Sequence, residues 1–373
     1  MRDFASALYL GLRHGRDDLA RWTALTTGAP AALREPRLAR RVARDVAALQ
    51  GCERGTVAPS TLHAFWDLFG ILRSRTTAVL VDGGAYPIAR WGAERPAACG
   101  GVVREFAHHD VDALTRQLET AANGGRRLIV VSDGFCPSCG EAAPIRGLVT
   151  AARRHGALVV IDDTQALGVF GRDPGPAAPL GLEGGGMLQH TRTFGGDIVL
   201  VSSLAKAFGA PLTVVSGSRD LIDRFEREGD TRVHCSPPSA AVLHAAARAI
   251  EVNRRGGDAL RLRLALLVRR FRERARARGL TLGGGLFPVQ AFGGLSFSGM
   301  RAVHRRLLQS GVRTVFARSR HDSSAQVNFL VTARHTTADI DRAVEQLADA
   351  VCCWQRAPRA VGVDHGMRMR ELP

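Results

Sequence analysis

One residue of this chain has a chemistry that the rest of its basic side chains cannot supply. Of the 51 basic residues, 50 are arginines, and Lys206 is the only lysine. Arginine can replace lysine wherever a solvated surface needs only positive charge. A guanidinium stays protonated and does not attack an aldehyde, whereas the primary amine of a lysine does. We therefore predict that Lys206 forms a Schiff base with a carbonyl compound.

The elements that must position such a residue can be predicted from the middle of the chain. Short apolar runs at residues 77–81, 128–131, 158–161 and 198–201 alternate with helical periodicity, which is typical of a parallel sheet covered by helices. Ligands of such sheets bind outside the carboxyl ends of the strands. We therefore expect the polar residues that follow the runs to lie at the site: Asp82, Ser132, Asp133, Asp162, Ser202 and Ser203.

The pattern predicts an α/β protein with two domains. Residues 46–250 would form a large domain, and residues 251–358 a smaller α+β domain with a long helix, two strand-like segments at 286–292 and 327–332, and a final helix that follows Thr336 and Thr337 as candidate caps. Residues 1–45 would belong to the small domain or to a dimer interface. Residues 359–373 show no periodicity and would form a tail.

The formal net charge of +16 raises nucleic acid as a partner. The densest basic run, residues 254–278, carries apolar side chains at helical spacing with arginines on the other faces, so we interpret it as an amphipathic helix with a solvated basic side. No recognisable nucleic-acid-binding motif accompanies it. We expect neither nucleic acid nor a membrane as a partner, since no stretch approaches the roughly 18 apolar residues of a membrane span.

The seven cysteines do not suggest a disulfide framework, because their number is odd and their spacing wide. Cys136 and Cys139 form a C-x-x-C pair that invites a zinc interpretation. A structural zinc ion needs four ligands, however, and no second pair with suitable spacing follows, so we predict no metal. Reduced thiols, and an amino terminus that begins with Arg2 and Asp3 in place of an apolar run, favour a cytoplasmic protein.

Two segments around the lone lysine resemble a known enzyme family. Residues 160–171 read VIDDTQALGVFG, and residues 197–209 read DIVLVSSLAKAFG. They resemble the fold-type I pyridoxal 5′-phosphate (PLP) enzymes, most closely the α-oxoamine synthases, which carry D-E-A-H-S-x-G-x-x-G and T-x-x-K-A-F-G motifs. Further matches in the family's order are residues 9–12 (YLGL), 106–110 (FAHHD), 132–144 (SDGFCPSCGEAAP) and 333–336 (ARHT). The resemblance implies a fold-type I PLP-dependent transferase with a mainly parallel sheet.

The resemblance also implies PLP as the cofactor and assigns roles to individual residues. Lys206 would form the Schiff base, and Asp162 would keep the pyridine nitrogen protonated so that the ring accepts electrons from a substrate carbanion. Ser203 would bind the phosphate. Ser60 and Thr61 open a predicted helix, where their hydroxyls and the N-terminal amides would contact the same phosphate. An ordinary helix cap explains that pair equally well.

The sequence departs from the family's motifs at four places, one of them the glycine pair after K-A-F-G, which is Pro211-Leu212 here and makes the use of an acyl-CoA less expected. Gln165 replaces the histidine of D-E-A-H, but its amide can still donate a hydrogen bond to the phenolic oxygen of PLP. Tyr86 replaces the histidine that stacks on the ring, and a phenol can also stack there. Asn328 aligns with the arginine that holds a substrate carboxylate, and asparagine lacks the two-pronged guanidinium. We therefore expect an atypical substrate pocket.

The resemblance implies condensation of an amino substrate with an acyl thioester, carried by coenzyme A or by an acyl-carrier protein. Tyr86 and Asn328 leave open an aminotransferase that acts on an unusual amine, ketone or sugar. The basic charge leaves open a non-catalytic binding or regulatory protein on the same fold. Family members form homodimers with the active site at the interface, and residues 233–238 (VHCSPP) resemble the segment that reaches the neighbour's phosphate. His234 is therefore a candidate cofactor contact.

Overall fold

The computed structural model of the chain describes residues 1–319 and 324–356, so the predicted tail at 359–373 lies outside the described residues. Strands and helices alternate through the middle of the chain, as predicted. The strands are β1 (Arg2–Asp3), β2 (Arg54–Ala58), β3 (Thr77–Asp82), β4 (Val102–Phe106), β5 (Arg127–Asp133), β6 (Phe135–Cys136), β7 (Glu141–Ala142), β8 (Leu158–Asp162), β9 (Ile198–Ser203), β10 (Thr213–Gly217), β11 (Val289–Phe292), β12 (Val312–Arg313), β13 (Val315–Arg318) and β14 (Ala325–Leu330). The helices are α1 (Arg37–Gln50), α2 (Thr61–Leu72), α3 (Pro87–Ala98), α4 (Val111–Ala122), α5 (Ile145–Arg154), α6 (Met187–Thr191), α7 (Arg219–Glu228), α8 (Asp230–His234), α9 (Ala240–Ala277), α10 (Phe297–Gln309) and α11 (Thr337–Arg356), with a 3₁₀ turn at Arg16–Asp18.

The central sheet contains seven of these strands in the order β2-β10-β9-β8-β5-β3-β4. The strands from β9 to β4 run parallel, and β10 is antiparallel to both of its neighbours. All four predicted strands are present, and each extends beyond its apolar run. Sheet pairing continues into the polar residues, as where Asp133 pairs with Asp162. The polar residues therefore end the strands instead of following them.

Both faces of this sheet are covered, because alternate residues of each strand point to opposite sides. In β3, Val79 and Val81 pack with helices α2 and α3, whereas Leu80 packs with α4 and α5 on the other face. All three side chains are at most 2% exposed. This two-sided burial explains why the strands read as continuous apolar runs.

Helix α9 contains the basic run, and its apolar stripe is buried as predicted. The expectation that all the arginines of this run face solvent is wrong for Arg261, which is only 1% exposed. Its guanidinium donates to the carbonyl oxygen of Gly168 and to Asn253 Oδ1, and it forms an ion pair with Asp258. These acceptors satisfy a charge that would otherwise be costly to bury. Neither α9 nor any other helix of the described chain combines the length and apolar content needed to cross a membrane.

The carboxyl-terminal part contains a second, antiparallel sheet in the order β11-β14-β13, which packs with α9, α10 and α11. The predicted strand at 286–292 begins only at Val289, because Pro288 has no N–H to donate to a sheet. Strand β1 pairs with β12, which attaches the amino-terminal segment to this part of the chain. Residue 250 lies inside the continuous helix α9, and the division into two domains stays a prediction.

Candidate active site

A cavity of about 160 Å³ lies at the carboxyl ends of the parallel strands. Its walls combine hydroxyl, carboxyl, amide and amine groups. The residues that line it are Thr61, Tyr86, Asp133, Asp162, Thr164, Gln165, Ser203, Ala205 and Lys206. The structure thus brings together Lys206, Asp162, Gln165, Ser203, Tyr86 and Thr61 of the predicted site residues. Ser60, His234 and Asn328, and the strand-end residues Asp82, Ser132 and Ser202, are not among those that line the cavity. A larger cleft of about 630 Å³ between α1 and α9 is lined mainly by charged surface side chains, with no lysine, cysteine, serine or threonine among them.

Lys206 lies in the tight turn that follows β9. Gly209 closes this turn by donating its N–H to the Lys206 carbonyl oxygen, and its φ of +64° suits glycine. Burial lowers the pKa of the Lys206 amine below its ordinary value, although the negative charge of Asp162 acts in the opposite direction. A larger fraction of the amine is therefore neutral near pH 7, which is the form that attacks an aldehyde.

Two consecutive aspartates end strand β8, and they point in different directions. Asp162 lines the cavity, and its Oδ1 accepts a hydrogen bond of 3.0 Å from the Thr164 N–H. Asp163 is fully buried on the opposite side, where it accepts from the Met187 N–H. Burial raises the pKa of Asp163 to about 8, against the effect of that hydrogen bond, and the charge of Asp162 raises it further. Of the two, Asp162 is the one placed to contact a cofactor.

Gln165 is oriented by a residue that the sequence did not mark as part of the site. The Tyr9 hydroxyl donates a hydrogen bond of 2.8 Å to Gln165 Oε1. Tyr9 is 1% exposed, and burial raises its pKa far above the ordinary value, so the hydroxyl keeps its proton. Because the Gln165 carbonyl oxygen is occupied, its amide nitrogen remains to donate into the cavity. Donation of this amide N–H to the phenolic oxygen of PLP stays a prediction.

Replacing Tyr9 with phenylalanine should therefore weaken cofactor binding. Loss of one hydrogen bond worth about 1 kcal/mol lets the Gln165 amide turn, and we expect a roughly 5-fold to 10-fold higher dissociation constant for PLP. An absorbance titration of the apoprotein measures it. The matched control is the same substitution in a Gln165→Ala background, where it should have no further effect. An equal loss in both backgrounds would show that Tyr9 acts through packing alone.

The start of α2 forms another wall of the cavity. Thr61, its first residue, lines the cavity, whereas the Ser60 hydroxyl accepts from the His63 N–H and caps the helix. Ser60 therefore acts as an ordinary helix cap, which is one of the two explanations that the sequence allowed for this pair. On the opposite wall, the Ser203 N–H donates to Thr164 Oγ1 at 3.0 Å, which ties the two family motifs together. Contacts of Ser60, Thr61 and Ser203 with a phosphate stay predictions.

The remaining predicted residues differ in their placement. Tyr86 lines the cavity, is 50% exposed, and donates its backbone N–H to Asp133 Oδ1 at 3.0 Å. Asn328 is buried in β14, and its Oδ1 has no hydrogen-bond partner within the described residues. His234 is the last residue of α8 and is exposed. Ring stacking by Tyr86, substrate binding by Asn328 and cofactor contact by His234 stay predictions.

Comparisons with known proteins agree with this geometry. Residues 56–347 match the family model described as aminotransferase class I and II. The 8-amino-7-oxononanoate synthase of Stutzerimonas stutzeri (strain A1501) is 34% identical over 272 residues, which are 69% of this chain and 62% of that protein. The enzyme of the same name from Alkalilimnicola ehrlichii is 32% identical over 258 residues, 68% of this chain and 62% of that protein. The match thus spans about three fifths of the length of these relatives.

Solved structures show the same fold. Serine palmitoyltransferase from Sphingomonas wittichii superimposes with a TM-score of 0.83 at 17% identity, over 95% of this chain and 88% of that one. The 8-amino-7-oxononanoate synthase of Francisella tularensis gives a TM-score of 0.73 at 17% identity, over 94% of this chain and 98% of that one. At such low identity the likeness concerns the fold, and it confirms the predicted α/β architecture of fold type I.

Proposed function

Because this chain belongs to the aminotransferase class I and II family, we propose that it is a PLP-dependent transferase that condenses an amino substrate with an acyl thioester. The observation that carries the proposal is that Lys206, Asp162 and Gln165, from two separate motifs, line one cavity at the carboxyl edge of the sheet. The curated relatives named 8-amino-7-oxononanoate synthase support a condensing reaction over other reactions of the family.

The groups that line the cavity fit PLP. Lys206 offers an amine for the aldehyde, Asp162 a carboxyl group for the pyridine nitrogen, and Gln165 an amide N–H for the phenolic oxygen. Thr61, at the start of a helix whose N-terminus attracts anions, and Ser203 offer hydroxyls for the phosphate. When bound, PLP supplies an electron sink that stabilises a carbanion next to the substrate amine.

The protein's own contribution is to hold protons and orient groups. Asp162 holds a proton at the pyridine nitrogen, and the Thr164 N–H fixes the position of its carboxyl group. Lys206, whose pKa is lowered by burial, can take a proton from the substrate carbon next to the amine. Gln165, whose side-chain oxygen accepts from Tyr9, would offer its N–H to the cofactor's phenolic oxygen. Asn328 cannot form the paired hydrogen bonds by which an arginine binds a carboxylate, so other residues would have to bind a substrate carboxylate.

Product analysis distinguishes the candidate reactions. The PLP-loaded protein is mixed with a panel of amino donors and acyl thioesters, carried by coenzyme A or by acyl-carrier protein, and the products are weighed by mass spectrometry. Condensation gives release of carbon dioxide and a product that joins both substrates. The second candidate, transamination, is favoured by Asn328 in place of an arginine and would give the pyridoxamine form of the cofactor without carbon dioxide. If the loaded protein turned over no donor, the enzymatic proposal would fail in favour of a binding role.

An exposed apolar surface beside the cavity supports a homodimer. Leu62, Trp66, Tyr86 and Trp91, on and next to α2 and α3, are 44% to 54% exposed. Large apolar side chains grouped in this way mark interaction surfaces. We expect a molar mass of two chains by light scattering, and we expect Trp91→Glu to give monomers with reduced activity. The control Leu308→Glu changes a side chain on α10 that is 48% exposed and should leave the dimer intact. A wild-type monomer would contradict the proposal.

A further inference from the structure

The C-x-x-C segment folds into a tight hairpin directly after Asp133. Strands β6 and β7 pair across a turn in which the Gly140 N–H donates to the Cys136 carbonyl oxygen at 2.9 Å. Gly140 has a φ of +78°, a conformation that glycine adopts without strain. The Cys136 side chain is fully buried and contacts the Cys139 thiol. The hairpin thus holds the two sulfur atoms side by side.

Two imidazole rings from a different part of the chain face these thiols. His108 and His109 follow strand β4, and His108 Nε2 lies 3.4 Å from Cys139 Sγ. One nitrogen of each histidine and the Cys139 sulfur all lie within 4.8 Å of one another, and the Cys136 thiol contacts His108. His109 Nε2 is buried and has no hydrogen-bond partner within the described residues. A buried ring nitrogen without a partner is unfavourable unless a ligand satisfies it.

We propose that His108, His109, Cys136 and Cys139 bind a zinc ion. Two thiolates and two imidazoles are a ligand set of structural zinc sites, and a tetrahedral ion at normal bond lengths puts its sulfur and nitrogen ligands roughly 3.6 Å apart. The 3.4 Å between His108 Nε2 and Cys139 Sγ is close to that separation. The structure brings three of these ligands together, His108, His109 and Cys139, and Cys136, which contacts His108 and Cys139, would move in to complete the set. Four protein ligands would leave no open position, so the ion would be structural and not catalytic.

A carboxylate behind His108 supports this assignment. The second ring nitrogen of His108, Nδ1, is hydrogen-bonded to Asp82 Oδ1. A carboxylate in this position fixes the ring orientation and leaves Nε2 to face the metal, as in many zinc sites. Asp82 also accepts from the backbone N–H of His109, which holds the second histidine in place. The His108 ring is therefore oriented before any ion binds, and the His109 ring stacks against it at a centroid distance of 3.6 Å.

The ion would tie together two loops that form the active-site wall. Asp82 accepts from the Gly84 N–H, in the loop that leads to Tyr86, and the Tyr86 N–H donates to Asp133, which directly precedes the C-x-x-C hairpin. Zinc would join the loop after β4 to the hairpin after β5. These are the two segments that the hydrogen bonds of Asp82 and Asp133 already link through the loop that leads to Tyr86. The site does not depend on which reaction the enzyme catalyses, because it takes no part in the chemistry.

Metal analysis of the protein purified with a thiol reductant tests the proposal. Mass spectrometry of the metal content should find about one zinc ion per chain. After chelation, added Co²⁺ should give the absorption bands of a tetrahedral site with thiolate ligands. Loss of a residue that only hydrogen-bonds to a metal ligand typically lowers metal affinity by about 10-fold to 100-fold. Because Cys139→Ser and His109→Asn remove ligands themselves, they should lower zinc affinity by more than about 100-fold. Asparagine suits the position of His109, whose φ is +58°.

The matched control is Cys99→Ser, which removes an exposed cysteine far along the sequence from the hairpin. It should bind zinc as the wild type does, and zinc should raise the thermal midpoint of both but not that of Cys139→Ser. A correctly folded wild type that binds neither zinc nor Co²⁺ after reduction would overturn the proposal. Zinc affinity equal to that of the wild type in both Cys139→Ser and His109→Asn would also overturn it. A Cys136–Cys139 disulfide with no metal binding after its reduction would assign the pair to redox chemistry instead.

Discussion

Replacing Lys206 with arginine should abolish turnover and remove the visible absorbance of lysine-bound PLP. Arginine keeps the positive charge but cannot attack the cofactor aldehyde, and its pKa is too high for it to act as a base. Base catalysis alone contributes about 10²- to 10⁴-fold, so we expect kcat to fall by at least about 10³-fold. Absorbance spectra of the loaded protein and a product assay measure the two effects.

Because Lys206 is the only lysine, chemical labelling of the lysine-bound cofactor can identify the site without ambiguity. Borohydride reduction of the loaded wild type should add the mass of the cofactor less one oxygen atom, because water leaves and two hydrogens are added, to one peptide, the one that contains Lys206. The control Arg255→Lys keeps the charge and places a second amine on the surface, where the side chain is 79% exposed. That introduced amine should stay unmodified and activity should be normal. Labelling of the introduced amine with Lys206 untouched, or full activity of Lys206→Arg, would contradict the assignment.

Residues close together in the sequence were predictable because their positions follow from local pattern. Lys206 was marked by composition, and Asp162 and Ser203 by their place after apolar runs that had to be buried strands. Parallel strands bring their carboxyl ends to one edge, so these residues had to meet once the strands were identified. The family motifs then added their chemical roles.

Contacts between distant segments could not be predicted in this way. Tyr9 reaches Gln165 across 156 positions, and no local periodicity links them; the YLGL match marked Tyr9 without giving it a role. Arg261 is buried because Gly168, from a distant loop, and Asn253 and Asp258, from its own helix, accept its hydrogen bonds, whereas helical spacing alone places it in solvent. The sequence contains one C-x-x-C pair, and no second pair follows it at a spacing suited to zinc. The two histidines precede it in the sequence and follow β4, which β3 separates from β5 in the sheet.

Asp162→Asn should be the second most damaging change at the cavity. Asparagine has the same shape and can keep the hydrogen bond from the Thr164 N–H, but it carries no negative charge to hold a proton at the pyridine nitrogen. The electron sink is weakened while the cofactor can still attach to Lys206. We therefore expect kcat to fall by about 10²- to 10⁴-fold, with the visible absorbance band retained. Asp112→Asn, at an exposed position of α4, should behave like the wild type.

The same substitution should also shift a pH profile in a defined direction. The charge of Asp162 raises the pKa of Lys206, so its removal should lower that pKa further below the ordinary value. A lysine with a lower pKa is neutral at lower pH, and the apoprotein should then capture PLP faster on the acidic side of the wild-type profile. Capture rates measured across a pH range below the ordinary lysine pKa of about 10.4 give the shift. A profile that moves to higher pH, or a kcat equal to that of Asp112→Asn, would show that Asp162 does not face the amine and the pyridine nitrogen as proposed.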